Sequence, residues 1–130
     1  MILPIYAYGQ NVLKQKASVI SSDYKNLKEL IDDMYETMYA AKGVGLAAPQ
    51  IGKSIRLFII DTSPFDNEEF EKETGFKVGT LKKTFINPII LKESGEKKTL
   101  EEGCLSIPNI REKIARKSKI KITYSDENFN

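Results

Sequence analysis

The chain has 130 residues, of which 41% are hydrophobic and 29% charged, and its formal net charge is +2. This composition is typical of one soluble globular domain with a modest core. The single cysteine excludes an internal disulfide and favours a reducing, cytoplasmic setting. No apolar run approaches the ~18 to 20 residues that span a bilayer, and the absence of any basic residue before Lys14 argues against a signal peptide.

The charge is distributed unevenly along the chain. Residues 66–73 are rich in carboxylates, and residues 111–121 are rich in lysine and arginine. We interpret both as solvated surfaces rather than as an RNA-facing patch, because no aromatic residues that could stack on bases interleave the lysines. The sequence therefore predicts no direct reading of nucleic acid and no membrane contact.

A helix is predicted from Asp23 to Ala41, because apolar residues recur there at helical spacing along one face. The residues of this stripe are Leu27, Leu30, Ile31, Met34 and Met38. Ser22 is the expected N-cap, and Gly43 is expected to take a positive φ where the helix ends. We interpret the stripe as part of the core.

Beyond the helix, short runs rich in β-branched residues predict strands. Strands are expected at residues 55–60, 84–91, 98–106 and 120–124, the second broken near Pro88. Residues 62–83 are interpreted as an exposed acidic insertion with a short helix at about 68–74. The fold class is therefore α+β, in a single domain that covers residues 1–130.

The last predicted strand is followed by residues typical of a turn, among them Asp126 and Asn128. A returning strand is expected after such a turn, yet the sequence ends at Asn130. The edge of the strand at 120–124 would then be unpaired, which natural domains avoid. These features predict a domain truncated at its C-terminus.

Residues 43–50, GVGLAAPQ, combine spaced glycines and small residues with a terminal amide. Glycine lacks a Cβ, so another peptide can approach the backbone closely and pair with it as an added strand. Taken alone, the segment is better explained by a tight turn from helix to strand. It is not a dinucleotide fingerprint, because no strand precedes it.

Cys104 lies in the segment 101–108, EEGCLSIP. A lone cysteine is usually a small buried hydrophobe. As a nucleophile it would need an activating base, and the chain has no histidine to supply one. As a metal ligand it would be one of three or four, and the adjoining Glu101 and Glu102 point to opposite faces of an extended segment. Residues of this chain complete neither site.

Taken together, GVGLAAPQ and the EGCLS segment of residues 102–106 resemble the first two motifs of peptide deformylases. The resemblance extends over essentially the whole chain, with the insertion at 62–83 accounting for the wider spacing of the motifs. It implies a deformylase-like α+β fold in which an N-terminal helix packs against short antiparallel strands. The C-terminal strand and the metal-binding helix of that fold, which carries His-Glu-x-x-His, are missing from this sequence.

The resemblance implies hydrolysis of the N-formyl group from the N-terminal formyl-Met of newly synthesised proteins. The reacting water is held by one divalent metal, Fe²⁺ with Zn²⁺ or Ni²⁺ as substitutes. By similarity Cys104 is a metal ligand, and the Gln50 side chain and the Leu105 backbone N–H are catalytic donors to the oxyanion. The residues implied in substrate binding are Gly43, Val44, Gly45, Glu102 and Arg111.

Three hypotheses follow. The preferred one is a deformylase that acts on formyl-Met nascent peptides, with the ribosome as the setting. The 130-residue chain alone is expected to be inactive and to hold no metal, since both histidine ligands and the catalytic glutamate are missing. The alternative is a naturally short, metal-free relative that binds peptides without catalysis, and a thiol enzyme that uses Cys104 ranks third.

Overall fold

The computed structural model describes the whole chain except residues 8, 76–78, 105 and 106, and for residues 98–104 and 107–118 it describes the backbone alone. The elements, in chain order, are α1 (Asn11–Lys14), α2 (Leu27–Ala40), β1 (Gly45–Ala47), a 3-10 turn (Ala48–Ile51), β2 (Leu57–Asp61), a second 3-10 turn (Ser63–Phe65), α3 (Glu68–Thr74), β3 (Lys82–Cys104) and β4 (Ile107–Ser125). The predicted α+β class is confirmed. Within the described residues, no helix has the length and hydropathy needed to cross a bilayer.

Helix α2 turns its predicted apolar stripe toward the core. Leu27, Ile31, Met34 and Met38 are buried, and Leu30 packs at the margin of the same cluster. The helix begins later than predicted, with Asn26 rather than Ser22 at the N-cap position. The reason is a local turn upstream of the helix, in which the Ser21 hydroxyl donates to the Asp23 carboxylate and the Tyr24 N–H donates to the Ser21 carbonyl.

The end of α2 is a left-handed turn at Lys42, whose φ is 57°. The Lys42 N–H donates to the Tyr39 carbonyl at 3.0 Å, and the Gly43 N–H donates to the Met38 carbonyl at 2.9 Å. These are the two hydrogen bonds of a Schellman motif. The prediction that Gly43 takes the positive φ is therefore wrong, because a helix that ends at Ala40 places the left-handed residue one position earlier.

The four strands form one antiparallel sheet in the order β1-β2-β3-β4. Gly45 stands opposite Ile60 in the β1–β2 pair, and Leu57 stands opposite Ile86 in the β2–β3 pair. Only residues 82–86 of β3 pair with β2, and the rest of the strand pairs with β4. Helix α2, β1, β2 and the start of β3 contribute most of the buried core residues.

The prediction of short strands is only partly right. β2 corresponds to the strand predicted at 55–60, whereas those predicted at 84–91 and 98–106 are one strand, β3. The pairing of β3 with β4 contains register irregularities, the first of which lies between Ile86 and Ile89. The strand continues through them instead of ending in a turn. Asn87 has a φ of 52° there, and its side chain forms hydrogen bonds with both the N–H and the carbonyl of Ile20.

The remaining expectations concern the insertion and the chain end. The helix predicted at about 68–74 is confirmed as α3, where the Asn67 side chain accepts a hydrogen bond from the Phe70 N–H. The strand predicted at 120–124 is the end of β4, which pairs with β3 alone within the described part of the chain. The face predicted to lie on the core is only partly covered, since Ile120 is 59% exposed.

Candidate functional site

Strand β1 lies at one edge of the sheet, immediately after the Schellman turn that ends α2. It pairs with β2 on one side, and no strand among the described residues pairs with its other side. Gly45 and Ala47 are half-buried, and Leu46 between them is buried in the core. The segment 43–50 therefore forms both the predicted turn from helix to strand and an edge to which a further strand could be added.

The backbone groups of β1 that face this edge follow from one hydrogen bond. The Val44 carbonyl accepts from the Asp61 N–H at 2.9 Å, so Val44 turns its polar groups toward β2. Successive residues of an antiparallel strand direct their backbone groups to alternate sides. Gly45 and Ala47 therefore direct their N–H and C=O groups away from β2, which agrees with the Ala47 N–H donating to the Gln50 side chain.

Packing within the chain does not require a glycine at position 45. A Cβ added there would lie 3.6 Å from the Ile59 carbonyl oxygen and 3.7 Å from Cγ2 of Ile60, which is ordinary van der Waals contact. The absence of a side chain leaves room beside the outward-facing backbone groups instead. This is the property expected of a residue against which another peptide lies.

Gln50 occupies the third position of the 3-10 turn that follows β1. Its Oε1 accepts a hydrogen bond from the Ala47 N–H at 2.9 Å, which assigns the two ends of the side-chain amide. Because the Ala47 N–H donates to Oε1, the remaining polar group of the Gln50 side chain is the NH₂ group, which is a donor. The structure thus places the Gln50 side-chain amide at the end of β1, with its oxygen bonded to the Ala47 N–H.

Two residues that the sequence did not single out support this edge. The Tyr39 hydroxyl donates to Oδ2 of Asp61 at 2.6 Å, and the Ser63 N–H donates to Oδ1 of the same carboxylate at 3.0 Å. The hydrogen bond from Tyr39 lowers the pKa of Asp61, and burial raises the pKa of Tyr39 to about 12. The only feature of the sequence that could have indicated this support is an aspartate, Asp61, at the end of an apolar strand.

The second predicted group of site residues lies at the end of β3 and the start of β4. In the backbone register, Glu102 is opposite Glu112, Gly103 is opposite Arg111, and Cys104 is opposite Ile107. Glu102 and Arg111 therefore occupy neighbouring register positions. Leu105 lies outside the described residues, as do the side chains of Glu102, Cys104 and Arg111, so the roles expected of them stay predictions.

The comparisons with known proteins agree on one family. The family model for polypeptide deformylases matches residues 2–130. The chain belongs to this family. The resemblance inferred from GVGLAAPQ and EGCLS is thereby confirmed.

Among curated relatives, the peptide deformylase of Flavobacterium psychrophilum is 55% identical over 131 residues, an alignment that covers 100% of this chain and 68% of the relative. The peptide deformylase of Christiangramia forsetii is 53% identical over 130 residues, with 99% of this chain and 66% of the relative covered. The chain thus spans about two thirds of the length of these deformylases.

Solved structures show the same fold. The crystal structure of peptide deformylase from Thermotoga maritima has a TM-score of 0.81 and 36% identity, and the alignment covers 100% of this chain and 78% of that one. The class I type b peptide deformylase from Acinetobacter baumannii with Met-Ala-Ser bound has a TM-score of 0.85 and 30% identity, with 100% and 80% covered. The deformylase-like fold is confirmed.

The residues of this chain do not by themselves fit a catalytic metal of the deformylase type. Such a metal needs about three protein ligands, and the sequence offers one cysteine and no histidine. Within the part of the chain that the structure describes, no group of three or more His, Cys, Asp or Glu side chains could hold a metal ion. Cys104 is therefore at most one ligand of a set that this chain does not complete.

Proposed function

We propose that this chain contributes the peptide-binding edge and the oxyanion donors of a peptide deformylase, which removes the N-formyl group from the formyl-Met of newly synthesised proteins. Deformylases act on formylated nascent peptides, and the family is shown by the match over residues 2–130. The proposed setting is the cytoplasm, with nascent chains at the ribosome as substrates.

The observation that carries the proposal is the open edge of β1 directly beside Gln50. Gly45 and Ala47 turn backbone groups toward this edge, and the Gln50 amide is fixed at its end by the Ala47 N–H. An extended peptide that lies along Gly43, Val44 and Gly45, with Gly45 supplying backbone groups toward it, would run along the strand and bring its first residue toward Gln50. The Met-Ala-Ser peptide bound to the related Acinetobacter baumannii enzyme is a ligand of this chemical class.

The proposed role of Gln50 is to donate a hydrogen bond to the oxyanion that develops on the formyl oxygen. Its side-chain oxygen accepts a hydrogen bond from the Ala47 N–H, which sets the orientation of the amide and makes its NH₂ group the proposed donor. The Leu105 backbone N–H is proposed as a second donor. One such preorganised donor is typically worth about 3 kcal/mol of transition-state stabilisation.

Glu102 and Arg111 are proposed to support the wall of the site, and Cys104 is proposed as one ligand of the family's divalent metal, Fe²⁺ or a substitute. One thiolate is fewer than the ligands such an ion requires. We therefore expect the 130-residue chain on its own to hydrolyse no formyl-Met peptide, even when Fe²⁺ or Ni²⁺ is added.

The test compares the protein expressed from its native gene with the isolated 130-residue chain, using formyl-Met-Ala-Ser as substrate and release of formate as the signal. Deformylation by the former alone is the expected result. Gln50→Ala should lower its kcat by about 10²- to 10³-fold. The matched control is Gln15→Ala, which removes an exposed amide distant in sequence from the turn and should change kcat less than twofold.

Other outcomes separate the competing hypotheses. No deformylation by the native-gene protein, combined with measurable affinity for Met-Ala-Ser, would select a peptide-binding relative without catalysis. Turnover by the 130-residue chain that rises with added metal would contradict the proposed assignment of ligands. Rapid alkylation of Cys104 with a depressed thiol pKa, in a protein whose activity persists after the metal is removed, would favour the thiol enzyme, and an unreactive Cys104 would exclude it.

A further inference from the structure

We propose that Tyr6 is a positioning residue for Gln50, acting through its backbone N–H. This inference rests on the proposed role of Gln50 and adds to it the element that fixes the turn in place. The N-terminal segment, residues 3–6, is the strap that holds the 3-10 turn of residues 48–51 against the body of the protein. The argument depends on three sets of contacts in the described part of the chain.

The first set is internal to the turn. The Gly52 N–H donates to the Pro49 carbonyl at 3.1 Å, and the Lys53 N–H donates to the Ala48 carbonyl at 3.1 Å. A 3-10 turn of four residues has few hydrogen bonds of its own, and their geometry is poorer than in an α-helix. Its position relative to β1 therefore depends strongly on contacts from outside the turn.

The second set joins the strap to the turn. The Tyr6 N–H donates to the Gln50 backbone carbonyl at 2.6 Å. The Tyr6 ring also covers Gly52, where an added Cβ would lie 2.7 Å from Cζ of that ring. Tyr6 thus contacts the backbone of the residue whose side chain carries the proposed donor, and also the glycine with a φ of 85° that ends the turn.

The third set ties the strap to helix α2. The Leu3 N–H donates to Oγ1 of Thr37 at 2.8 Å, and that hydroxyl donates in turn to the Asp33 carbonyl at 2.7 Å. Thr37 is 1% exposed, and Leu3 packs against the main core cluster. The strap therefore starts from a rigid part of the core rather than from solvent.

These contacts fix both ends of Gln50. Tyr6 holds its backbone carbonyl and Ala47 holds its side-chain oxygen, so contacts from outside the turn constrain the direction of the amide. Displacements of about 1 Å at a catalytic group can lower a rate by up to 10²-fold. Loss of the Tyr6 hydrogen bond should therefore reduce kcat while leaving the affinity of the β1 edge for peptide largely unchanged.

The test uses the protein expressed from its native gene and three variants. Tyr6→Pro removes the N–H and the ring, Tyr6→Ala removes the ring but keeps the N–H, and Ala7→Pro introduces the same backbone restriction one residue later. For Tyr6→Pro we expect kcat to fall about tenfold with KM for formyl-Met-Ala-Ser changed less than twofold. Ala7→Pro should retain kcat within about threefold, and Tyr6→Ala, which loses the ring contact with Gly52 but keeps the N–H, should lower kcat less than Tyr6→Pro does.

A second readout does not depend on activity. The sequence contains only three glutamines, Gln10, Gln15 and Gln50, so labelling with ¹⁵N-glutamine gives few side-chain amide signals, and Gln50→Ala assigns one of them. Tyr6→Pro should shift the Gln50 amide signal and speed its hydrogen exchange, whereas Ala7→Pro should not. A merely structural loss of stability would affect both proline variants alike.

If Tyr6→Pro does not fold, replacement of Tyr6 by its α-hydroxy acid exchanges the N–H for an ester oxygen while keeping the ring, and gives the same two readouts. An unmoved Gln50 amide in the folded variant would overturn the positioning role, as would equal losses of kcat in Tyr6→Pro and Ala7→Pro. If the unmodified protein shows no deformylation, the proposed function fails, and the amide signal alone still decides the positioning role.

Discussion

Asp61 connects the proposed peptide-binding edge with the end of helix α2. Its backbone N–H holds the Val44 carbonyl, and its carboxylate accepts hydrogen bonds from the Tyr39 hydroxyl and the Ser63 N–H. These bonds favour the ionised carboxylate, so the pKa of Asp61 is lowered, with Tyr39 as the largest cause. A single buried residue thus contributes to the alignment of β1 with the rest of the sheet.

The first prediction is that Tyr39→Phe lowers the free energy of unfolding more at neutral pH than in acid. A carboxyl group with a lowered folded pKa adds stability above its unfolded pKa, near 3.8 for aspartate, and this stability is lost as the pH falls through the folded pKa. Tyr39 itself, with a pKa of about 12, remains protonated throughout this range. Urea unfolding from pH 7 to pH 3 should therefore show the variant and the unmodified protein converging.

The control for this prediction is Tyr24→Phe, which removes the hydroxyl of a half-buried tyrosine that makes no hydrogen bond to a carboxylate within the described residues. Its unfolding free energy should run parallel to that of the unmodified protein across the same pH range. A constant offset for Tyr39→Phe as well would contradict the link between its hydroxyl and the ionisation of Asp61.

At the scale of elements, helix α2 ends at an unusual residue. The left-handed position of its Schellman motif is taken by Lys42, with a φ of 57°, where glycine is the common choice because it has no Cβ to clash. A non-glycine residue in this region carries conformational strain on the order of 1 kcal/mol. Gly43 follows directly and leads into β1, so the same turn sets the entry to the proposed site.

The second prediction is that Lys42→Gly stabilises the protein by up to about 1 kcal/mol, since it relieves this strain against the entropy cost of an added glycine. The matched control is Lys28→Gly on the same helix, where the φ is helical and glycine is unfavourable. Thermal unfolding should show the two substitutions shifting Tm in opposite directions. A loss of stability in both variants would mean that the turn is not strained at Lys42.

The elements that the sequence predicted well are those determined by local pattern. The α2 stripe and the short helix α3 depend on spacing and capping within one segment, and both are confirmed. The sequence predicts a break near Pro88 and a gap between residues 91 and 98, whereas β3 runs through both, with Asn87 and Gly95 at φ values of 52° and 84° and irregularities in the pairing with β4. That pairing is a long-range property that no local window contains.

The residues of the candidate site also fall into those indicated by a local motif and those whose roles depend on long-range contacts. Gln50 and the glycines of residues 43–45 were predicted because they share one continuous motif. Tyr6 and Asp61 were missed because their roles arise from contacts with residues far away in the chain, Tyr6 with Gln50 and Asp61 with Tyr39. Spacing along the sequence gives no signal for hydrogen bonds of this kind.

At the scale of the whole molecule, the sheet extends beyond the helix that covers it. After Ile86, β3 pairs only with β4, and the two strands carry apolar residues that helix α2 does not bury. Ile90 stands opposite Ile122, and Ile120 lies two residues away on the same face of β4. Ile90 is 62% exposed and Ile120 is 59% exposed, which leaves an apolar patch next to the edge of β4.

The third prediction is that the isolated 130-residue chain self-associates through this patch. An exposed apolar face beside an unpaired strand edge favours association with a second copy. The double variant Ile90→Thr with Ile120→Thr keeps β-branched side chains in the strands while making the face polar, so it should weaken the association by about tenfold or more. Sedimentation velocity over a hundredfold range of concentration measures this change.

The matched control for the association is Lys92→Thr with Lys121→Thr, a pair that stands opposite each other on the other face of the same two strands. It removes charge from an exposed face without touching the isoleucines, so it should leave the association through Ile90 and Ile120 in place or strengthen it. All of these positions are exposed, and such substitutions usually change the free energy of unfolding by less than about 0.5 kcal/mol. Unfolding is therefore not the expected cause of a change in association, and a monomeric unmodified chain at every concentration would contradict the prediction.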